Sequence, residues 1–325
     1  MPEIAGSTVL VTGGAGFIGS HLVDGLLAAG AARVIVADDL SLGREENLRE
    51  ALAHPQASFA RVDCADIDAL AALLPAEPLD FCFNLAVIPL PHSLAHPREN
   101  VDHNVAMTTA VCELQRTGRI RRVVQYSSSE VYGTAQHTPM DEEHPLRPHT
   151  PYAAAKAATD LTALSYAHTF GLETVLVRPF NTYGERQNDG AYAGLLPIVV
   201  RRVLAGEPVQ IHGDGEQTRD LTYVSDTVAG TLAAATSAAA LDGTFNLGHG
   251  SESSVNEIVT ALLAALGRPD HPVEHVDPRP GDVRRLLADT SRAHAAFGYS
   301  PRVSLADGLE RTVRWYVSSA SASAR

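Results

Sequence analysis

The 325-residue chain has only three cysteines, three methionines and one tryptophan. Cys64, Cys82 and Cys112 stand in apolar, strand-like or helix-like runs. They read as buried thiols and not as a disulfide framework. There is no Cys-x-x-Cys pair and no close group of histidine with cysteine, and the 14 histidines are scattered. No metal-ligand spacing results, so no metal is expected. Positive charge is also scarce. Lys and Arg number 25 against 38 Asp and Glu, a net charge of −13. Nucleic acid is therefore not an expected partner, because phosphate backbones are bound by basic patches. No apolar run is long enough to span a bilayer and no signal-peptide pattern opens the chain. The expectation is a cytoplasmic protein without a membrane partner. No internal repeat is visible.

What remains is ample material for a core. Hydrophobic residues make up 45% of the chain and charged residues 19%. The length suits one large α/β domain or two coupled ones. Thr8–Thr12 is a short β-branched run that flows into Gly13-Gly14-Ala15-Gly16-Phe17-Ile18-Gly19. Leu22, Leu26 and Leu27 follow at helical spacing. Glycines at 13, 16 and 19 permit a tight turn, close approach to a pyrophosphate, and packing of helix on strand. The free N–H groups of the helix start then face the phosphate charge.

A second strand, Arg33–Ala37, ends at Asp38-Asp39. Asp38 is 19 positions after Gly19, near the spacing of a carboxylate that binds a dinucleotide ribose. Such a carboxylate accepts from both ribose hydroxyls and repels a 2′-phosphate, which favours NAD over NADP. Asp39 is the alternative ribose ligand, and a loop-capping role is the plain reading of Asp38. Asp63, after the strand Ser58–Val62, is a candidate for the adenine amino group or a helix N-cap. The cofactor contacts expected are Gly13, Gly16, Phe17, Ile18, Gly19, Asp38, Asp63, Cys64, Leu85 and Ala86.

Further strand-like runs are Phe81–Leu85, Arg122–Tyr126 and Thr174–Val177, with helical segments over about 100–117 and 153–170. Near-continuous apolar strands alternating with helices predict a doubly wound parallel sheet of Rossmann type. Residues 1–180 form the dinucleotide-binding part. Residues 181–317 form a smaller, interleaved C-terminal lobe, with Thr244–Leu247 returning to the main sheet. Residues 318–325, rich in Ser and Ala, are expected to fray.

The catalytic signal lies between these parts. Tyr152 and Lys156 are four residues apart, after the triplet Ser127-Ser128-Ser129. On a helix, that spacing places phenol and ammonium on one face. A phenol with a pKa of ~10 is only about 0.1% ionised at pH 7, and a nearby cation lowers that pKa. A serine hydroxyl can bind the same substrate oxygen. The three groups together suit removal of an alcohol proton while its carbon loses hydride to a nicotinamide.

Several motifs now stand in one order. They are the loop at 12–19, Asn84-Leu85-Ala86, Tyr126-Ser127-Ser128-Ser129-Glu130-Val131-Tyr132-Gly133 and Tyr152-xxx-Lys156. Then come Arg178-Pro179-Phe180-Asn181-Thr182-Tyr183-Gly184, Gly213–Asp220 and Arg279-Pro280-Gly281-Asp282-Val283. From about residue 7 to 316 the chain resembles the extended short-chain dehydrogenase/reductases that act on nucleotide sugars. The resemblance implies NAD as cofactor, a nucleotide-sugar substrate with UDP as the default, and a homodimer formed through the helices near 100–117 and 152–170. It implies Tyr152 as the base for the sugar 4-hydroxyl and Lys156 as the ribose ligand that lowers the Tyr152 pKa. Ser128 is the hydroxyl partner, with Ser127 and Ser129 as alternatives. Asn181, Arg219 and Arg279 are ligands of the diphosphate, charge-assisted in the case of the arginines. Asp282 is read as structural, and a salt bridge to Asp220 or Asp226 is the plain alternative for Arg219.

The shared product of these parts is a bound 4-keto sugar. Its fate is inversion at C4, dehydration, or loss of CO2 from a uronate. Dehydratases of the family carry Asp-Glu where this chain has Ser129-Glu130, so the acid for the leaving hydroxyl is missing. Glu130, by contrast, resembles the decarboxylases. Decarboxylases place an arginine near Leu286, with Arg285 one position away. In epimerases the Leu286 position gates the sugar 2-substituent, and the run from 281 to 289 is most similar to theirs. The balance favours a 4-epimerase, then a UDP-glucuronate decarboxylase, then a 4,6-dehydratase. A non-catalytic NAD-binding regulator is the alternative from another class; such proteins lose the Tyr or the Lys, and both are kept here. The expected substrate contacts are Ser128, Ser129, Asn181, Arg219, Arg279 and Leu286, with His92 and Ser93 in the sugar site.

Overall fold

The computed structural model describes residues 2–190, 193–279 and 281–323, and side chains as far as residue 319. Among the described residues the strands in chain order are β1 (Thr8–Thr12), β2 (Arg33–Asp38), β3 (Ala57–Arg61), β4 (Leu79–Asn84), β5 (Ile120–Tyr126), β6 (Glu173–Pro179), β7 (Thr182–Tyr183), β8 (Val209–His212), β9 (Thr218–Arg219), β10 (Thr222–Tyr223), β11 (Thr244–Leu247), β12 (Ser253–Ser254) and β13 (Val273–Val276). The helices are α1 (Phe17–Ala28), α2 (Ile67–Leu73), α3 (Leu90–Ala95), α4 (Pro97–Arg116), α5 (Pro151–Phe170), α6 (Leu195–Ala205), α7 (Val224–Thr236), α8 (Val255–Ala265), α9 (Ser291–Phe297) and α10 (Leu305–Ser323).

Seven strands form one parallel sheet in the order β11-β6-β5-β4-β1-β2-β3. The chain winds one way from β1 through β3 and the other way from β4 onward. The reversal between β1 and β4 opens a crevice at their carboxyl ends, where doubly wound sheets bind ligands. Strand side chains alternate between two apolar layers. Val9, Val11, Phe81, Phe83, Val124 and Val175 face a core shared with α1, α6 and α7. Leu10, Ile35, Cys82 and Val123 face one shared with α2 and α4. The three cysteines are buried free thiols in or beside these layers.

Thr244–Leu247 runs parallel to β6 at the sheet edge. The rest of the C-terminal lobe is built on short pairs: β13 beside β8, β10 beside β7, and β12 antiparallel to β9. Residues 318–323 of the expected frayed tail lie in the last turns of a helix. Helix α10 continues to Ser323, anchored by buried Leu309, Val313 and Tyr316; residues 324 and 325 lie outside the described residues. No helix among the described residues is long and apolar enough to cross a membrane.

Candidate active site

The Gly-rich turn occupies the β1 side of the crevice. Gly13 has φ +67, and a Cβ there would lie 2.7 Å from the Ala86 nitrogen. A Cβ on Gly19 would lie 2.2 Å from the Gly13 oxygen. Gly16 caps α1 without a side-chain hydrogen bond, so the first amides of that helix remain open toward the cleft. These are the conditions for a pyrophosphate cradle. Asp38 ends β2 and is 6% exposed. Its carboxylate accepts from Ala15 N at 3.0 Å and Leu40 N at 2.8 Å, while burial pushes its carboxyl up. It thus holds the loop and lines the cleft together. Asp39 also lines the cleft and accepts from Ser41 N at 2.8 Å. Asp63 is not the cap of α2, which is Asp66. Asp63 accepts from Ala65 N at 2.9 Å, and His103 Nε2 lies 3.0 Å from it. Burial pushes the Cys64 thiol up to about 12, so this cleft residue is an inert thiol.

Helix α5 delivers the catalytic pair. Thr150 caps it, its side chain accepting from Ala153 N at 3.1 Å, and Pro151 opens the first turn. This start places Tyr152 and then Lys156 on the cleft wall. Lys156 is the only lysine of the chain. Its Nζ donates to the Tyr126 main-chain oxygen at 2.5 Å. Burial brings Lys156 down to about 8, with Asp160 opposing the fall. Burial brings the Tyr152 phenol up to about 12; a hydrogen bond with Ser128 opposes the rise, and Glu130 and Asp160 add to it. The expected lowering of Tyr152 by Lys156 is not part of this balance. Within the protein alone, desolvation outweighs the Ser128 hydrogen bond and holds the phenol above its ordinary value.

The serine triplet divides its work. Ser127 donates to Asp160 Oδ2 at 2.7 Å and is committed there. Ser128 accepts from Glu130 N at 3.2 Å and engages Tyr152, which favours it as the hydroxyl partner. Ser129 is buried and lines the cleft beside Glu130. Burial pushes the Glu130 carboxyl up against the pull of Arg219, and Asp282 adds to the rise. Asn181 lines the same end, and its Nδ2 is a buried donor without a partner. An orphaned donor at a cleft wall fits an acceptor on a ligand.

Other expected contacts lie elsewhere. Arg219 donates to Val283 O at 2.7 Å and to Asp282 Oδ1 at 2.6 Å, not to Asp220 or Asp226. Asp220 instead accepts the amides of His249, Gly250 and Ala288. Arg279 is exposed and absent from the cleft wall, and its neighbour Pro280 is outside the described residues. Leu286, expected to gate the sugar 2-substituent, does not line the cleft. It is fully buried against Val131, Tyr132, Met140 and Phe180, an apolar side chain drawn into an apolar cluster. Arg285 pairs with Glu252 away from the cleft. Ser93 is buried and donates to Leu90 O at 2.7 Å; neither it nor His92 lines the cleft. Val87, Ile88 and Pro89 take that wall instead, together with Met107 and Asn188. Their role follows from the turn after β4, which carried no residue-type signal.

Comparison with known proteins adds a decisive match. Residues 9–248 match the model of the NAD dependent epimerase/dehydratase family. The chain belongs to this family. A UDP-glucose 4-epimerase of Mycolicibacterium smegmatis is 40% identical over 309 residues, covering 94% of this chain and 97% of that one. The solved UDP-glucose 4-epimerase of Thermotoga maritima, with UDP-glucose, superposes with a TM-score of 0.90 at 33% identity, over 96% and 99% of the two chains. A dTDP-glucose 4,6-dehydratase of Streptomyces venezuelae, solved with NAD, gives 0.90 at 34% identity, over 96% and 97%. As a member of this family, the protein is an NAD-dependent enzyme of the epimerase/dehydratase class. The glycine cradle and Asp38 fit that cofactor.

Proposed function

We propose that the protein is a nucleotide-sugar 4-epimerase that works through a 4-keto intermediate on a UDP-hexose or UDP-uronate. The observation that carries this reading is the acid–base inventory of the cleft. Tyr152 and Ser128 stand together, and Glu130 is the single carboxylic acid at their end among the described lining residues. Dehydration needs a base at C5 and an acid for the leaving hydroxyl. The second of these positions is Ser129. Decarboxylation of a uronate is favoured by an arginine for its carboxylate. Arg285 is tied to Glu252 and Leu286 is buried, so that segment offers none.

In this reading the glycines at 13, 16 and 19 take the NAD pyrophosphate, Asp38 or Asp39 the ribose, and Asp63 and Cys64 the adenine end. NAD supplies reversible hydride exchange at sugar C4. Tyr152 accepts the 4-hydroxyl proton and later returns it, Ser128 orients the same oxygen, and Lys156 stabilises the phenolate. Asn181 donates to the diphosphate, and Arg219 adds positive charge once its bond to Asp282 rearranges. Assembly as a homodimer through α4 and α5 belongs to the same reading, supported by Leu161 and Phe170 on α5, 60% and 49% exposed.

The test is incubation of purified protein with NAD+ and, separately, UDP-glucose, UDP-N-acetylglucosamine, UDP-glucuronate and dTDP-glucose. Products are separated by chromatography and weighed by mass spectrometry. An isobaric new peak is the expected result. Loss of CO2 from the uronate, or of water from a hexose, would move the protein to the decarboxylase or the dehydratase branch.

A further inference from the structure

Two stretches from different parts of the fold border the cofactor cleft and are bonded to each other beside it. The first is the loop after β2. Ser41, Leu42 and Gly43 line the cleft there, as Asp38 and Asp39 do. This loop lies on the glycine turn. Arg44 N donates to Ala15 O at 3.0 Å, and Asn47 Nδ2 donates to the same oxygen at 2.9 Å. A Cβ on Gly43 would lie 2.7 Å from Asp38 Oδ1 and 2.8 Å from Ala15 Cβ, so the approach is close.

The second is the segment 185–189, between β7 and α6. Asn188 lines the cleft. Its neighbours are tied to elements around them. His21 Nε2 of α1 donates to Glu185 O at 2.9 Å, and Tyr223 OH donates to the Glu185 carboxylate at 2.6 and 2.7 Å. Arg186 Nη1 donates to Asp24 Oδ2, also on α1, at 2.7 Å. Tyr316 OH of α10 donates to Gln187 O at 2.5 Å, and Arg201 Nη1 of α6 donates to Asp189 O at 2.9 Å. Arg186 has φ +63, a region that side-chain-bearing residues rarely adopt. The surrounding bonds impose the shape of this segment.

Arg44 and Asp189 follow directly on the lining residues Gly43 and Asn188, and their side chains form an ion pair. They are 145 positions apart in the chain. The pair therefore joins the loop that carries the glycine-turn contacts to the segment that opens the C-terminal lobe. Another ion pair of the same loop, Arg49 with Glu46, stays within one turn and joins nothing across the cleft.

We propose that Arg44 and Asp189 form a clasp that retains the dinucleotide: while they are paired, the loop after β2 and the segment 185–189 are held together at the cleft, and NAD leaves readily only when they part. Both are positioning residues, with no part in the proton or hydride transfers. The proposal rests on NAD as the cofactor and not on the sugar reaction. An enzyme that stores a hydride between two half-reactions has a use for such a clasp, because loss of the reduced cofactor strands the ketone.

The side chains are 55% and 41% exposed, so the pair is weak by itself and open to screening by salt. The experiment measures release. Full-length protein is loaded with radiolabelled NAD and chased with excess unlabelled NAD, and bound label is followed by rapid filtration. R44A and D189A should each release label about 2- to 5-fold faster than wild type, the effect of losing one exposed ion pair. R44D and D189R, which set like charges together, should release it at least as fast. The double variant R44D/D189R restores the pair in reverse and should return toward the wild-type rate. R49A should leave release unchanged. High salt should narrow the gap between wild type and D189A.

Wild-type release rates in folded R44A and D189A overturn the proposal. A double variant that loses label as fast as the single reversals overturns it too, since loosening of the segment then explains the effect without the pair. Equal acceleration in R49A has the same consequence. A protein that shows the reciprocal rescue yet converts no nucleotide sugar would sink the epimerase reading and leave the clasp standing.

Discussion

Thr12 and Asn84 share a hydrogen bond of 2.7 Å at the point where the strand order reverses. The same Thr12 oxygen accepts from Leu85 N at 3.1 Å and Ala86 N at 3.2 Å. Asn84 Nδ2 donates onward to Gln125 Oε1 at 2.7 Å. One hydroxyl therefore presses the Leu85-Ala86 turn against Gly13. In T12V the two amides and Asn84 each lose a partner in a buried place. A stability loss of about 1–3 kcal/mol is expected, as for an unsatisfied buried polar group. Urea denaturation measures it, and T12S should recover most of the loss. Equal stability of T12V and wild type would refute this account of the switch point.

Two glycines of the cradle should fail differently. In G19A the methyl group would sit 2.2 Å from a main-chain oxygen, so folding itself suffers. In G16A the nearest atom would be 3.1 Å away, so the fold should survive. The added methyl group would still stand where the cofactor phosphates approach. We expect folded G16A with far less co-purifying NAD, read by cofactor release and absorbance.

Y152F removes the phenol while leaving the ring. Turnover should fall by roughly 10²–10⁴-fold, the usual contribution of a positioned acid–base group. NAD content should stay at the wild-type level, since the glycine cradle is untouched. Full activity in Y152F would assign the proton transfer elsewhere.

The alkaline limit of stability should begin with the thiols. Burial holds Cys64 and Cys112 up to about 12, and Cys82 well above its ordinary value. A thiol that titrates higher in the folded state than in the unfolded state binds its proton more tightly when folded. Its contribution is present below the ordinary pKa near 9 and is lost as pH rises toward 12. The slope is about 1.4 kcal/mol per pH unit for each such thiol. Denaturation curves between pH 8 and 11 should show the fall, less steeply in C112A. A flat profile contradicts the assigned burial.

L286A tests whether the buried leucine also selects substrate. As a core truncation it should cost about 2–5 kcal/mol, seen as a lower Tm. The preference between UDP-glucose and UDP-N-acetylglucosamine should not change. A changed preference would return Leu286 to the cleft wall.

The parallel sheet was legible because its strands are covered on both faces, which forces continuous apolar runs such as Val9-Leu10-Val11. The cofactor half of the site was legible because a tight turn admits few residue types. Tyr152 and Lys156 were visible through helical periodicity. Asp160 obeys the same periodicity, yet its meaning lies in pairings with Ser127 and Arg178 from other strands, which no local spacing reports. The same holds for Arg219, whose acid partner is 63 positions away. The burial of Leu286 was not legible, because a motif position says which residue stands there and not which way the local backbone turns it. Nor were the places of His92 and Ser93: the segment 87–89, just before α3, lines the cleft.

The lone lysine has a bearing on cleavage. A protease that cuts only after lysine has one susceptible bond in this chain, Lys156–Ala157, buried inside α5. The fold protects that bond until the catalytic helix opens. Cleavage would release two pieces, residues 1–156 and 157–325, with no background from surface loops. The rate at which they appear would then report the opening of this one helix, with and without NAD in the cleft.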